Sequence, residues 1–134
     1  MRILVATGAL ALLLFLAPAG APNGHAGPIA PRYDARAYAN FLAGYLDSRE
    51  GNLDGALGSY KKALKYAGDE SDILYEIANI HVKKGRLPEA RAELEKALAA
   101  DEGHTRSRYL LAGILAASGE REKALAEYGR VLKE

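Results

Sequence analysis

The sequence predicts an all-α chain, a solenoid of three stacked helix-turn-helix units, and three observations lead to this prediction. The segment GNLDGALGSYKKAL at Gly51 returns in similar form at Gly85 and again at Gly119, each time 34 residues further on. Apolar residues recur within each copy at steps of three and four, which places them on one face of an α-helix. The composition is rich in Ala and Leu, and both residues favour helices.

Each copy of the repeat is expected to contain two helices. In the first unit, the apolar pattern predicts one helix from about Asp34 to Glu50 and a second from about Asn52 to Tyr66. The glycine between them can adopt the left-handed conformation that ends a helix. Pro88 is expected near a helix start, where its missing N–H costs nothing. Ser71 and Thr105 are predicted to cap the first helices of the second and third units.

Small residues occupy fixed columns of the repeat. Two helix axes can approach to about 8–10 Å only where the side chains at the crossing are small. One hairpin cannot bury its apolar face alone, and about three stacked hairpins are needed for a continuous core. The signature residues of these columns are Gly44, Gly51, Ala56, Ala78, Gly85, Ala90, Ala112, Gly119 and Ala124.

These columns resemble the tetratricopeptide repeat, and the match covers the chain from Ala37 to Glu134. The resemblance implies a right-handed superhelix. It also implies units at residues 37–70, 71–104 and 105–134, the last of them incomplete at its end. One column departs from the family pattern, because its usual large aromatic residue is replaced by Asn40, Leu74 and Arg108. Weaker packing is therefore expected at the edges.

The resemblance implies a non-catalytic scaffold whose first helices line a concave groove that binds a protein or peptide. One groove column is aromatic throughout, with Phe41, Tyr75 and Tyr109, and such a ladder suits a peptide ligand. The alternative is that these rings only pack one helix on the next. The groove residues carried over from the family are Tyr38, Phe41, Tyr45, Arg49, Tyr75, Asn79, Lys83, Arg106 and Tyr109.

A subclass of the family grips a C-terminal carboxylate with a clamp of Lys, Asn and Arg side chains. Three of the clamp positions are held here by Phe41, Tyr45 and Glu76. None of these side chains can replace the basic or amide group that the clamp uses, so binding of chaperone tails is not expected.

The sequence offers no constellation for catalysis, and we predict that the protein is not an enzyme and binds no cofactor or metal. The chain has no cysteine, which excludes disulfides, thiolate metal sites and cysteine nucleophiles. His25, His81 and His104 have no second ligand at metal spacing. The balance of 18 basic against 17 acidic residues gives no sign of a surface for nucleic acid.

Residues 1–26 have the layout of a secretory signal peptide, and residues 27–36 are expected to form a flexible tether. The apolar run from Ile3 to Ala17 is shorter than the roughly 20 residues that a spanning helix needs. The sequence therefore predicts an exported chain, periplasmic or secreted. The alternative is an uncleaved leader, which would be the only contact with a membrane.

A second function is left open by the end of the third unit. No polar capping helix follows its second helix, so Val131 and Leu132 are expected near an open end. The alternative function is therefore a structural or assembly segment of a longer repeat array or of a cell-envelope complex. Self-association through the open C-terminal end belongs to the same alternative.

Overall fold

The computed structural model describes residues 34–133, which form three helical hairpins. The helices are α1 Ala35–Arg49, α2 Leu53–Leu64, α3 Ser71–Lys83, α4 Leu87–Ala100, α5 Thr105–Ala117 and α6 Arg121–Val131. We call α1, α3 and α5 the A helices, and α2, α4 and α6 the B helices. No strand occurs within this part of the chain. The predicted all-α repeat solenoid is confirmed, whereas the predicted leader lies outside the described residues.

A glycine closes each hairpin, as the sequence predicts. Gly51, Gly85 and Gly119 have φ angles of +82°, +71° and +81°, the left-handed region that other residues rarely adopt. The N–H after each glycine donates to a carbonyl five residues earlier, at 2.9, 2.8 and 2.9 Å in chain order. This pattern satisfies carbonyl groups at the end of each A helix. Pro88 lies in the first turn of α4, also as expected.

Two of the predicted helix caps are wrong. Ser71 is the first residue of α3, and both its N–H and its hydroxyl donate to the Asp69 carboxylate, at 3.0 and 2.7 Å. Thr105 is the first residue of α5, and the cap before it is His104, whose Nδ1 accepts from the Ser107 N–H at 3.3 Å. In both turns a longer side chain just before the helix reaches the first-turn groups and takes the place of the hydroxyl.

The hydrophobic core lies at the two junctions between consecutive hairpins. At the first junction, α3 inserts three isoleucines into the first hairpin. They are Ile73, Ile77 and Ile80, and they pack with Phe41, Ala56, Leu57, Tyr60 and Ala63. At the second junction, Leu111 and Ile114 of α5 pack with Ala90 and Leu94 of α4. The first and second hairpins thus each bury their apolar face by receiving the next A helix.

Gly44 shows why one column of the repeat must be small. A Cβ atom built on Gly44 would lie 2.9 Å from two ring carbons of Tyr60, which is closer than real contacts allow. Tyr60 is fully buried between α1, α2 and α3, so its ring has no room to move away. The same column holds Ala78 and Ala112 in the other hairpins, and both are also buried.

Arg108 shows how a charged residue is accommodated in the column that departs from the family pattern. The side chain is buried, and its guanidinium pairs with Glu127 of α6 at 3.0 Å. It also donates to the main-chain carbonyl of Glu102 in the turn before α5. A charge can replace the usual apolar residue here because it is paired and hydrogen-bonded.

We expect Gly44→Ala to lower the free energy of unfolding by roughly 1–2 kcal/mol. Overpacking against Tyr60 should cost about 1–3 kcal/mol, while Ala in place of Gly in a helix gains at most about 1 kcal/mol. Chemical denaturation followed by circular dichroism would measure the difference.

The matched control is Gly58→Ala in α2, where an added Cβ has no atom within 4 Å. This change should raise the free energy of unfolding by about 0.5–1 kcal/mol through helix propensity alone. Equal stabilisation by the two substitutions would contradict the close approach at Gly44.

Candidate functional site

The three A helices form a continuous surface, which we call the A-helix face. The Lys83 ammonium of α3 donates to the Ser48 hydroxyl of α1 at 2.9 Å. The Arg106 guanidinium of α5 reaches back to α3, where it pairs with Asp72 at 3.3 Å and with Glu76 at 3.0 Å. Lys83 and Arg106, two of the predicted groove residues, therefore each link consecutive A helices.

Phe41 does not belong to the exposed part of this face. Its side chain is only 4% exposed, and its ring lies 5.5 Å from that of Tyr60 in the first core cluster. The reason is geometric, because the isoleucines of α3 cover this column of α1. Phe41 is therefore not accessible to a ligand in the predicted groove, and the alternative of helix-on-helix packing is correct for this ring.

Tyr75 occupies the same column one hairpin later and is half-buried. The Arg106 guanidinium lies 4.1 Å from the centre of its ring, in a cation–π contact. The His104 ring meets the same tyrosine edge-on, with the ring centres 5.9 Å apart. Part of the Tyr75 ring is thus covered by the chain's own side chains.

Tyr109 is the third member of this aromatic column, and it is 60% exposed. Its ring lies 5.5 Å from that of Tyr128, the same separation as between Phe41 and Tyr60. No further A helix covers this pair within the described residues. Tyr109 therefore lies where the A-helix face meets the end of the array.

The other predicted groove residues lie mainly between α1 and α3. Tyr38 and Arg49 are exposed, while Tyr45 and Asn79 are half-buried. The Arg49 guanidinium donates weakly to the Tyr45 hydroxyl at 3.4 Å. Arg49 and Lys83 thus contact uncharged hydroxyl groups, and the Asn79 side chain forms no hydrogen bond within residues 34–133. This part of the face keeps hydrogen-bonding capacity for another molecule.

Sequence reasoning assigned no role to His104 or Glu76, although both support the face. His104 Nε2 lies 3.1 Å from the Asp72 carboxylate, and its Nδ1 lies 2.7 Å from the Ser107 hydroxyl. Because Nδ1 accepts the Ser107 N–H, the neutral ring carries its proton on Nε2 and donates it to Asp72. Asp72 and Arg106 are 34 residues apart and therefore occupy the same repeat column. This spacing could have indicated that the two side chains meet on the folded chain.

Comparison with known proteins agrees with this architecture. Two sequence profiles described as tetratricopeptide repeat match residues 49–99 and 75–134, and together they span more than half of the chain. The chain belongs to the tetratricopeptide repeat family. The mouse tetratricopeptide repeat protein 21A is 29% identical over 85 residues. This match covers 63% of the present chain but only 6% of the mouse protein.

Several solved structures share the fold. The first tetratricopeptide domain of Spaghetti (RPAP3), bound to the HSP90 peptide SRMEEVD, has a TM-score of 0.69 at 19% identity. That match covers 73% of this chain and 80% of the domain. MamA has a TM-score of 0.68 at 18% identity, covering 72% and 57% of the two chains. YrrB, described as having an unusual peptide-binding site, has a TM-score of 0.62 at 25% identity, covering 72% and 50%.

Neither a candidate metal site nor a helix able to span a membrane is found within residues 34–133. No group of three or more His, Asp or Glu side chains there is arranged to hold a metal ion. None of the helices in this part of the chain has both the length and the apolar character needed to cross a bilayer.

Glu76 is a partly buried carboxylate on the A-helix face. Burial raises the pKa of Glu76 above its usual value, although the nearby Arg106 guanidinium acts in the opposite direction. A folded-state pKa above that of the unfolded chain means that the folded state binds more protons. The ionised Glu76 therefore opposes folding at neutral pH, and this penalty vanishes below the unfolded-state pKa.

We expect Glu76→Gln to stabilise the protein at neutral pH but not in acid. The gain in free energy of unfolding should be absent below about pH 4.3, the ordinary glutamate pKa. It should grow as the pH rises and level off above the raised pKa of Glu76. Urea denaturation across this pH range would measure it. Glu89→Gln, at an exposed position of α4, should give no such gain, and a gain independent of pH at residue 76 would refute the burial argument.

Proposed function

We propose that this tetratricopeptide chain is a non-catalytic interaction module that binds a peptide or an extended protein segment on the A-helix face. The observation that carries the proposal is the amide of Asn79. It is half-buried on α3 and has no hydrogen-bond partner within the described residues. An amide side chain can donate to one main-chain group of a peptide and accept from another, as strand pairing does.

The surroundings of Asn79 favour a ligand with acidic or carbonyl-rich character. Lys83 lies one helical turn further along α3, and Arg49 lies at the end of α1. Exchanging a hydroxyl partner for a carboxylate gives a stronger, charge-assisted hydrogen bond. Towards α5 the face is different, because the Arg106 charge is already matched by Asp72 and Glu76. The peptide is therefore expected to bind chiefly between α1 and α3.

Two of the structural relatives support a peptide as the class of ligand. The Spaghetti domain is bound to the acidic peptide SRMEEVD, and YrrB is described by its peptide-binding site. The present chain must hold its ligand differently from a carboxylate clamp. Phe41, at one of the clamp positions, is buried, and Glu76, at another, carries the wrong charge.

We also propose that the module works outside the cytoplasm, on the basis of the leader at residues 1–26. Expression in a bacterial host followed by intact-mass measurement tests this. Export predicts a chain shortened at its N-terminus, near Ala19 or Ala26, in the periplasmic fraction. A full-length chain held in the membrane would support the anchor alternative, and a full-length soluble cytoplasmic chain would contradict export.

The peptide proposal is tested on an array of synthetic peptides that differ in charge. The wild-type chain should retain a subset enriched in Asp and Glu. The double variant Asn79→Ala, Lys83→Ala should bind the same peptides about tenfold or more weakly, because hydrogen bonds worth about 0.5–1.5 kcal/mol or more each are lost. Fluorescence anisotropy with the best peptide would measure the affinity.

The matched control is the double variant Lys61→Ala, Lys62→Ala, which removes two exposed charges from α2. It should bind the peptides as the wild type does, and all three proteins should have the same helicity. Loss of binding in the control alone would move the site to the B helices. Absence of any retained peptide would overturn the proposal.

A further inference from the structure

The third hairpin repeats the surface with which the first hairpin receives α3. In the first hairpin that surface includes Phe41, Ala56, Leu57, Tyr60 and Leu64, and the α3 isoleucines pack on it. At twice the repeat spacing, the third hairpin carries Tyr109, Ala124, Leu125, Tyr128 and Leu132. Four of the five residues are identical, and the fifth changes one aromatic ring for another. We call this second set the end surface.

Within residues 34–133 the end surface is open, whereas its counterpart in the first hairpin is closed. Leu125 is 70% exposed and Leu132 is 87% exposed. A pocket of about 200 Å³ lies on it, lined by Ala116, Arg121, Ala124, Leu125 and Tyr128. In the first hairpin, the residues equivalent to the last three of these are packed against α3. The end surface thus has the shape and composition of a surface on which an A helix packs.

At the opposite end of the array, α1 is an A helix with no preceding hairpin to pack against within the described residues. In α3, the residues that enter the preceding hairpin are Ile73, Ile77 and Ile80. The corresponding residues of α1, one repeat earlier, are Ala39, Ala43 and Leu46, and all three are exposed. Leu42 is exposed beside them. We call these four residues the start surface.

We propose that the start surface of one copy docks on the end surface of another, so that the solenoid continues from molecule to molecule. The contact would repeat the internal junction between the first and second hairpins. It joins two different patches, so it does not close into a symmetric dimer, and each added copy again offers a free end surface. This inference does not depend on the proposed peptide binding, because it uses other residues.

The proposed contact between two copies differs from the internal junction in charge and in side-chain size. Inside the molecule, Lys84 of α3 pairs with Asp54 of α2 across the first junction. The equivalent residues between two copies are Glu50 of one and Glu122 of the other, which have the same charge. The start surface also offers two alanines where α3 offers isoleucines. The association is therefore weaker than the internal packing, and salt should strengthen it by screening the like charges.

Sedimentation velocity on the purified full chain, from micromolar to millimolar concentration, tests the proposal. The wild type should grow in mass without a plateau at the dimer. Leu46→Lys blocks the start surface and Leu125→Lys blocks the end surface, and each variant alone should associate about tenfold or more weakly. Mixed together, the two variants should form a one-to-one complex and nothing larger, because each retains one intact surface. Ala99→Lys on α4, at the column where the first hairpin has Lys65, should behave as the wild type.

A gain of association separates the proposal from simple damage to the fold. Glu50→Lys restores the charge pair that Lys84 and Asp54 form inside the molecule, so it should tighten association about threefold or more. The proposal is overturned if wild type and Glu50→Lys both stay monomeric throughout. It is equally overturned if the two lysine variants fail to form a complex with each other, or if both still associate alone, since another surface or residues 1–33 would then be responsible.

Discussion

The whole array depends on one constraint: no hairpin can bury its own apolar face. Tyr60 illustrates it, because this fully buried ring touches the preceding helix at Gly44 and is sealed only by the isoleucines of the next hairpin. Burial raises the pKa of its phenol, and its hydroxyl has no hydrogen-bond partner within the described residues. The stability of the array therefore depends on the junctions as well as on the packing within each hairpin.

The same stacking produces the polar face. Because consecutive A helices follow the same register, side chains from one column meet across the surface, as Asp72 and Arg106 do. Between α3 and α5 this meeting neutralises the charges, and a guanidinium covers the Tyr75 ring. Between α1 and α3, Lys83 and Arg49 donate to hydroxyl groups, and Lys83 also interacts electrostatically with the nearby Glu76 carboxylate. The face thus differs between its two halves: the charges are paired between α3 and α5, and the cations contact hydroxyl groups between α1 and α3.

The repeat spacing in the sequence was sufficient to predict the fold, the hairpin glycines and the columns that form the A-helix face. It could not predict which members of a column are covered. Phe41 and Tyr109 occupy the same column, yet one is buried and the other is mostly exposed, because within the described residues only Phe41 is covered by a following A helix. The helix caps were missed for a different reason. Whether Ser71 or Asp69 satisfies a helix start depends on side-chain reach, which residue preferences do not encode.

The uneven burial of the six helices also has a consequence for how the molecule loses its order. Among the described residues, α6 buries a single side chain, Ala124, whereas α3 buries six. In a one-dimensional array with nearest-neighbour coupling, opening begins at the element with the weakest junction. The amide hydrogens of α6 would exchange with solvent sooner than those of α3, so the chain frays from its last hairpin inward. A molecule seated on that hairpin would slow this exchange before it changed any other part of the structure.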